Sequence, residues 1–267
     1  MMFEIKIRDE GIEMVCQKLE DRHPRCELLF LAVSGSHAWG LERADSDIDL
    51  RGIYQDSTKN VLRLHSGSDT VEFTEGNYDV QLYEVRKFLN LLCKHNGNMV
   101  NLLLLPAPWR SVAYVSWNDL ALKFLTRKLR FYYRGYAESQ RKRAMSQRGG
   151  KALIYTYREM FSGLYTMHYG MMEHDFMKLW REAQSRGWYG KGLLDMYFPD
   201  PKQGVSDEGW HQFYSEWAEL CIKLDIEAEK SPLPETFDGI DICNQLLLSL
   251  RLAQLDKEKF YEHTTRD

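Results

Sequence analysis

At 267 residues the chain suits one large domain or two modest ones, and 44% hydrophobic against 28% charged residues suffices for a buried core. Five cysteines, at 16, 26, 93, 221 and 243, are odd in number and form no Cys-x-x-Cys pair, so neither a zinc cage nor a disulfide framework is indicated and a reducing, cytoplasmic setting fits best. The formal charge of −4 decides nothing, but the opening MMFEIKIRDE lacks an apolar signal core and no apolar run approaches the roughly 20 residues that span a bilayer, so no membrane partner is expected.

Residues 10–22 place Ile12, Val15, Cys16 and Leu19 at helical spacing. Residues 27–34 (ELLFLAVS) form a short apolar run of the buried-strand kind. A helical turn is expected at 38–44, then an alternating strand at 48–54, and two more strands at 69–74 and 79–83 joined through Glu75-Gly76-Asn77. The period then lengthens. Helices are predicted over 84–93, 98–105 (stopping before Pro106) and, from an N-cap at Ser116, over 117–130. Further helices follow at about 118–146, 150–170, 171–186, 208–230 and 239–258, with a Gly/Pro-rich loop at 187–207. Strands early and helices late imply an α+β fold: a small mixed-sheet domain over 1–108, then an all-helical C-terminal domain over 109–267. The sequence is silent on oligomeric state.

Charge is unevenly spread. Between Lys123 and Lys151 stand ten basic residues and one acid, Glu138; from Ser206 onward stand fourteen acids and six basic residues. The basic stretch reads as a polyanion-facing surface or as a solvated helix face. Within it, Phe131-Tyr132-Tyr133-Arg134-Gly135-Tyr136 interleaves aromatics with cations, a pattern that suits single-stranded nucleic acid and equally a helix core stripe. Met167, Met171, Met172 and Met177 read as core packing.

The chemistry concentrates in residues 35–49. Asp47 and Asp49 lie two apart on a predicted strand, so their carboxylates face one side. Such a pair repels itself unless a cation sits between, and Mg²⁺ prefers carboxylate oxygens plus substrate phosphates. Just upstream, Gly35 lets the backbone approach a ligand, while exposed N–H groups and the Ser36 hydroxyl suit a phosphate.

Gly35-Ser36 followed by Asp47-Ile48-Asp49 resembles the signature of the DNA polymerase beta-like nucleotidyltransferase superfamily. The longer set, Gly35 to Gly40, Ser46 to Gly52, Asp79 to Glu84, Lys87-Phe88 and Asn96 to Pro106, resembles its branch associated with RNA ligases and RNA repair. The resemblance implies a third carboxylate on a neighbouring strand; Asp79 is the best match and Glu72 the rival. It also implies two divalent ions, Mg²⁺ or Mn²⁺, held by Asp47, Asp49 and Asp79, and transfer of a nucleoside monophosphate from a nucleoside triphosphate (ATP favoured) to a hydroxyl, with pyrophosphate leaving and no covalent enzyme intermediate. An RNA end is the favoured acceptor and a protein hydroxyl the alternative; a non-catalytic nucleotide-binding module is the remaining one.

Lys151 and Arg158 lie seven apart on a predicted helix, and the resemblance turns such a pair toward the triphosphate. Arg51 shares a strand face with the carboxylates and can bind them or a nucleotide phosphate. His37 and Trp39 can touch substrate or pack. His95, His168 and His174 have no metal-ligand spacing.

Overall fold

A computed structural model describes residues 9–64, 67–107, 109–110, 116–147, 150–190, 192–198 and 204–264. In chain order the first elements are α1 (Asp9–Arg22), β1 (Glu27–Ser34), α2 (Gly35–Ala38), β2 (Ile48–Gln55), α3 (Thr58–Val61), β3 (Thr70–Glu75) and β4 (Tyr78–Glu84). Then come α4 (Val85–Cys93), α5 (Gly97–Leu104), β5 (Trp109–Arg110), α6 (Trp117–Lys123), α7 (Leu129–Gln147), α8 (Gly150–Tyr169), α9 (Phe176–Ser185), α10 (Leu193–Tyr197), α11 (Asp207–Lys230) and α12 (Ile240–Thr264). Caps set several boundaries: Glu84 accepts from the Arg86 N–H, Asn96 from the Asn98 N–H and Ser116 from the Asp119 N–H.

The fold is α+β. Two compact units divide between Leu122 and Lys123 and again between Phe237 and Asp238. The expected boundary, residue 108, lies outside the described residues. The first unit holds a five-stranded mixed sheet in the order β3-β4-β2-β1-β5. β2 runs parallel to β4 and antiparallel to β1, while β3 and β5 are antiparallel edges. One face buries Val15 and Leu19 of α1 against Val33, Leu50, Tyr54, Val80 and Leu82. Strand alternation sends Asp49, Arg51, Asp79 and Gln81 to the other face. Away from the strand starts that face closes over Phe88 and Trp117, whose rings meet edge to face at 6.2 Å.

The last helix corrects an expectation. α12 packs on α3 and α4 in the sheet unit rather than among the C-terminal helices. Its amphipathic pattern fixed a helix but not a partner. The partners are polar: buried Gln55 donates to the Leu250 carbonyl at 3.0 Å and to Gln254 at 2.7 Å, and Thr58 N–H donates to Glu258 at 3.0 Å. Arg251 donates to the Asp56 carbonyl at 2.8 Å and pairs with buried Glu84. Each such group would otherwise be a buried polar atom without a partner, which is costly.

The second unit, Lys123–Phe237, is built around α8, buried along most of its length against α7, α9 and α11. Gly163 lets α7 close in, since a Cβ there would stand 2.9 Å from the Tyr133 Cβ. The short helix α10 interrupts what reads from sequence as a loop. Burial pushes the His174 imidazole down to about 4; Glu173 opposes this and Arg158 reinforces it. A histidine whose pKa falls on folding takes its proton first in the unfolded chain. Stability should therefore drop as pH falls from about 6.5 toward 4, by on the order of 2 kcal/mol after allowance for solvent screening. Urea midpoints at pH 7.5 and 5.0 check this, and His174→Gln should flatten the dependence.

Candidate active site

β1 ends at Ser34 and the chain turns sharply at Gly35, whose φ of +61° lies in the left-handed region that glycine tolerates. The register sets Ser34 opposite Asp49 on β2, and Asp49 opposite Asp79 on β4. Loop, carboxylate and carboxylate thus line up across three adjacent strands. A Cβ on Gly35 would fall 1.8 Å from Asp49 Oδ2, so only glycine leaves that carboxylate its place.

Arg51 joins the two acids. One guanidinium nitrogen donates to Asp49 Oδ1 and Asp79 Oδ2, each at 2.9 Å; another donates to the carbonyls of Leu50 at 2.9 Å and Asp79 at 2.8 Å. Of the two roles open to Arg51 from sequence, the structure displays the pairing with carboxylates. Burial pushes the Asp49 carboxyl above the usual carboxylate range; Arg51 pulls it back, and Asp79 and Asp47 push it further up.

Asp47 is exposed and stands one residue before β2, not on it. Among the described residues no three His, Cys, Asp or Glu side chains form a ready-made metal cage. The fit to a divalent ion rests instead on donor chemistry: hard carboxylate oxygens, mutually repelling, at a backbone cradle that a methyl group would fill. Glu72 does not face Asp49. It lies one row further along on β3, paired with Gln81, while Asp79 is the direct neighbour.

His37 Nε2 lies 3.4 Å from the Ser46 carbonyl and Trp39 is buried. In the helical unit Lys151 is exposed in the first turn of α8, whereas Arg158 is 4% exposed, paired with Glu159 and lying over the Tyr155 ring. Their seven-residue spacing thus puts them in unlike surroundings, because α8 is buried from its first turn onward and Lys151 is its one exposed residue. Tyr133 is core, bonded to Thr166, while Phe131 is exposed. Of the methionines, Met167 is buried but Met171 is 53% exposed, so that run is not uniform packing. The two charge blocks meet: Arg127 pairs with Glu235 at 2.9 Å and Arg134 with Asp225 at 3.0 Å.

A mixed sheet carrying a Gly-Ser turn beside facing aspartates on neighbouring parallel strands is the arrangement of the polymerase beta-like nucleotidyltransferases. The sequence matches the RNA repair pathway DNA polymerase beta family, RlaP, across residues 10–248, and the chain belongs to that family. It is also similar to the uncharacterized protein MJ0002 of Methanocaldococcus jannaschii, 26% identical over 155 residues, or 55% of this chain. The match spans 63% of that protein's length.

Proposed function

We propose that this chain moves a nucleoside monophosphate from a nucleoside triphosphate, ATP by preference, to the hydroxyl of an RNA end, releasing pyrophosphate. The observation that carries this reading is the row Gly35, Asp49, Asp79 across β1, β2 and β4. Asp47, Asp49 and Asp79 would hold Mg²⁺, or Mn²⁺ in its place, which neutralises triphosphate charge and acidifies an attacking hydroxyl. The Gly35 and Ser36 backbone suits a phosphate. Asp79 would orient the acceptor hydroxyl and take its proton. Arg51 keeps Asp49 and Asp79 aligned and offers positive charge beside the phosphates. Exposed Lys123, Lys128, Lys142 and Arg143 in the helical unit support a polyanionic acceptor. No helix among the described residues is long and apolar enough to cross a membrane. The five cysteines are free thiols, which suits a reducing, cytoplasmic setting.

The test is pyrophosphate release from each of the four nucleoside triphosphates, with RNAs of defined 3′ ends and, separately, with a cell lysate. Release should require Mg²⁺ or Mn²⁺, stop with EDTA, and be greatest with ATP and a 3′-hydroxyl RNA. Label entering lysate protein but not RNA would move the acceptor to a protein hydroxyl. Nucleotide binding without release on any acceptor would leave a binding module and refute transfer.

A further inference from the structure

A second site lies at the opposite end of β2. From Asp49 to Asp56 the chain runs seven residues in extended form, roughly 23 Å at about 3.3 Å per residue. There, two adjoining cavities of about 380 and 540 Å³ share Arg22 and His23 in their walls. Arg25, Asp56, Asn60 and Arg63 line the smaller one. Its volume is that of a small-ligand pocket.

The floor is built rather than incidental. His23 and Asp56 are 7% and 4% exposed, and His23 Nδ1 lies 2.9 Å from Asp56 Oδ2. The other Asp56 oxygen accepts from the Ser57 N–H at 2.7 Å and from Asn60 Nδ2 at 2.9 Å. Asp56, the one carboxylate among the described residues that line the smaller cavity, is thus committed to the protein, and it fixes the imidazole. His23 Nε2 has no hydrogen-bond partner among the described residues. A buried His–Asp pair costs desolvation, and packing alone does not require it.

The rim is cationic. Arg22 is braced by the Glu72 carbonyl at 2.9 Å and by the Phe73 ring. The guanidinium groups of Arg25 and Arg63 are exposed and meet no carboxylate among the described residues. Arg25 carries a further signal. The Cys26 N–H donates to the His23 carbonyl at 3.1 Å, closing a turn with Pro24 second and Arg25 third. Arg25 has φ +67° there. Such turns want glycine in that position, and a long side chain is strained. Strain is retained where the side chain does something glycine cannot.

We propose that this cavity binds a phosphoryl group, clasped by Arg25 and Arg63 at the rim and by His23 at the floor. Arginine forks match phosphate oxygens in pairs, and a histidine held by a carboxylate presents its second nitrogen as a fixed partner. The phosphoryl group belongs either to a strand end or to a free nucleotide; both present the same chemistry. The proposal stands apart from the carboxylate site and does not rest on its activity.

The experiment uses the full chain in EDTA, so that the carboxylate site contributes no metal-dependent binding. Inorganic phosphate is titrated calorimetrically, and 3′-labelled RNA decamers with a 5′-phosphate or a 5′-hydroxyl are followed by anisotropy, with AMP as competitor. Phosphate should bind the wild type and Asp49→Asn alike. Arg25→Gln, Arg63→Gln and His23→Asn should each weaken it by about tenfold or more, as loss of a charge-assisted contact implies. Tighter binding of the 5′-phosphate decamer assigns the site to a strand end; displacement by AMP with equal binding of both decamers assigns it to a nucleotide. Arg25→Gly separates ligand from fold, because it relieves the turn: the melting temperature should hold or rise while phosphate binding falls. Wild-type affinity for phosphate and both decamers in Arg25→Gly and Arg63→Gln, which are exposed and fold-neutral, overturns the proposal, as does absence of binding by the wild type.

Discussion

Asp49→Asn should lower pyrophosphate release by on the order of 10³-fold while the melting temperature stays close to wild type. The substitution keeps the shape of a half-buried side chain and its ability to accept from Arg51 at the position of Oδ1. It removes a negative charge that the folded state holds at a cost. Burial raises the Asp49 carboxyl pKa, so at neutral pH its ionised form is disfavoured by folding, and neutralising it should not destabilise. That net rise already includes the attraction of Arg51, a pairing worth about 1 kcal/mol or less at a partly exposed site, so its loss adds no separate penalty. Stability is therefore expected to hold, whereas activity has no such compensation. Urea denaturation and initial-rate assays on the same preparation separate the outcomes. Activity within a few-fold of wild type would remove Asp49 from the chemistry.

The second large effect is expected at Gly35. An alanine there meets two penalties together. The left-handed backbone at φ +61° costs an L-residue about 1–2 kcal/mol. The added methyl would also stand 1.8 Å from Asp49 Oδ2 and 2.9 Å from its Cβ, so the carboxylate must leave its place between Gly35 and Arg51. Gly35→Ala should therefore lose stability and about as much activity as Asp49→Asn. Gly76→Ala is the control. Gly76 has φ +58° in the turn between β3 and β4, but an added Cβ there meets nothing within 4 Å. It should lose comparable stability and keep its activity. If Gly35→Ala behaves like Gly76→Ala, the close approach to Asp49 has no functional weight.

Much of this architecture was readable from local pattern. β1 spans residues 27–34 as expected, because a strand buried on both faces is an uninterrupted apolar run bounded by polar residues. The Gly-Ser turn and the Asp-x-Asp segment are local too, so the core of the candidate site was legible. What escaped depends on long-range pairing. The resemblance prefers Asp79 to Glu72, and only the parallel register of β2 on β4 reveals which of them neighbours Asp49: Asp79 stands directly beside it, while Glu72 stands opposite Gln81. The two-residue β5 has no periodicity to detect. Asp47 was expected on β2, but the strand begins one residue later. His23 and Asp56 are 33 residues apart and share no motif, so their contact exists only in three dimensions. The left-handed Arg25 was hidden as well, although Pro24 marks a turn. Arg158 was read by spacing as a partner of Lys151, and spacing cannot report how deeply a helix is packed.

The return of α12 to the sheet makes the first unit discontinuous in the chain: residues 123–237 are inserted within it. During synthesis the first 122 residues emerge with Gln55, Thr58 and Glu84 lacking the helix that satisfies them. The sheet unit must then wait for an entire second unit to be made before it closes. Its maturation is therefore a late event in the life of the chain, coupled to the helical insert by connectivity. A fragment cut at the visible boundary would be a poor stand-in for the whole.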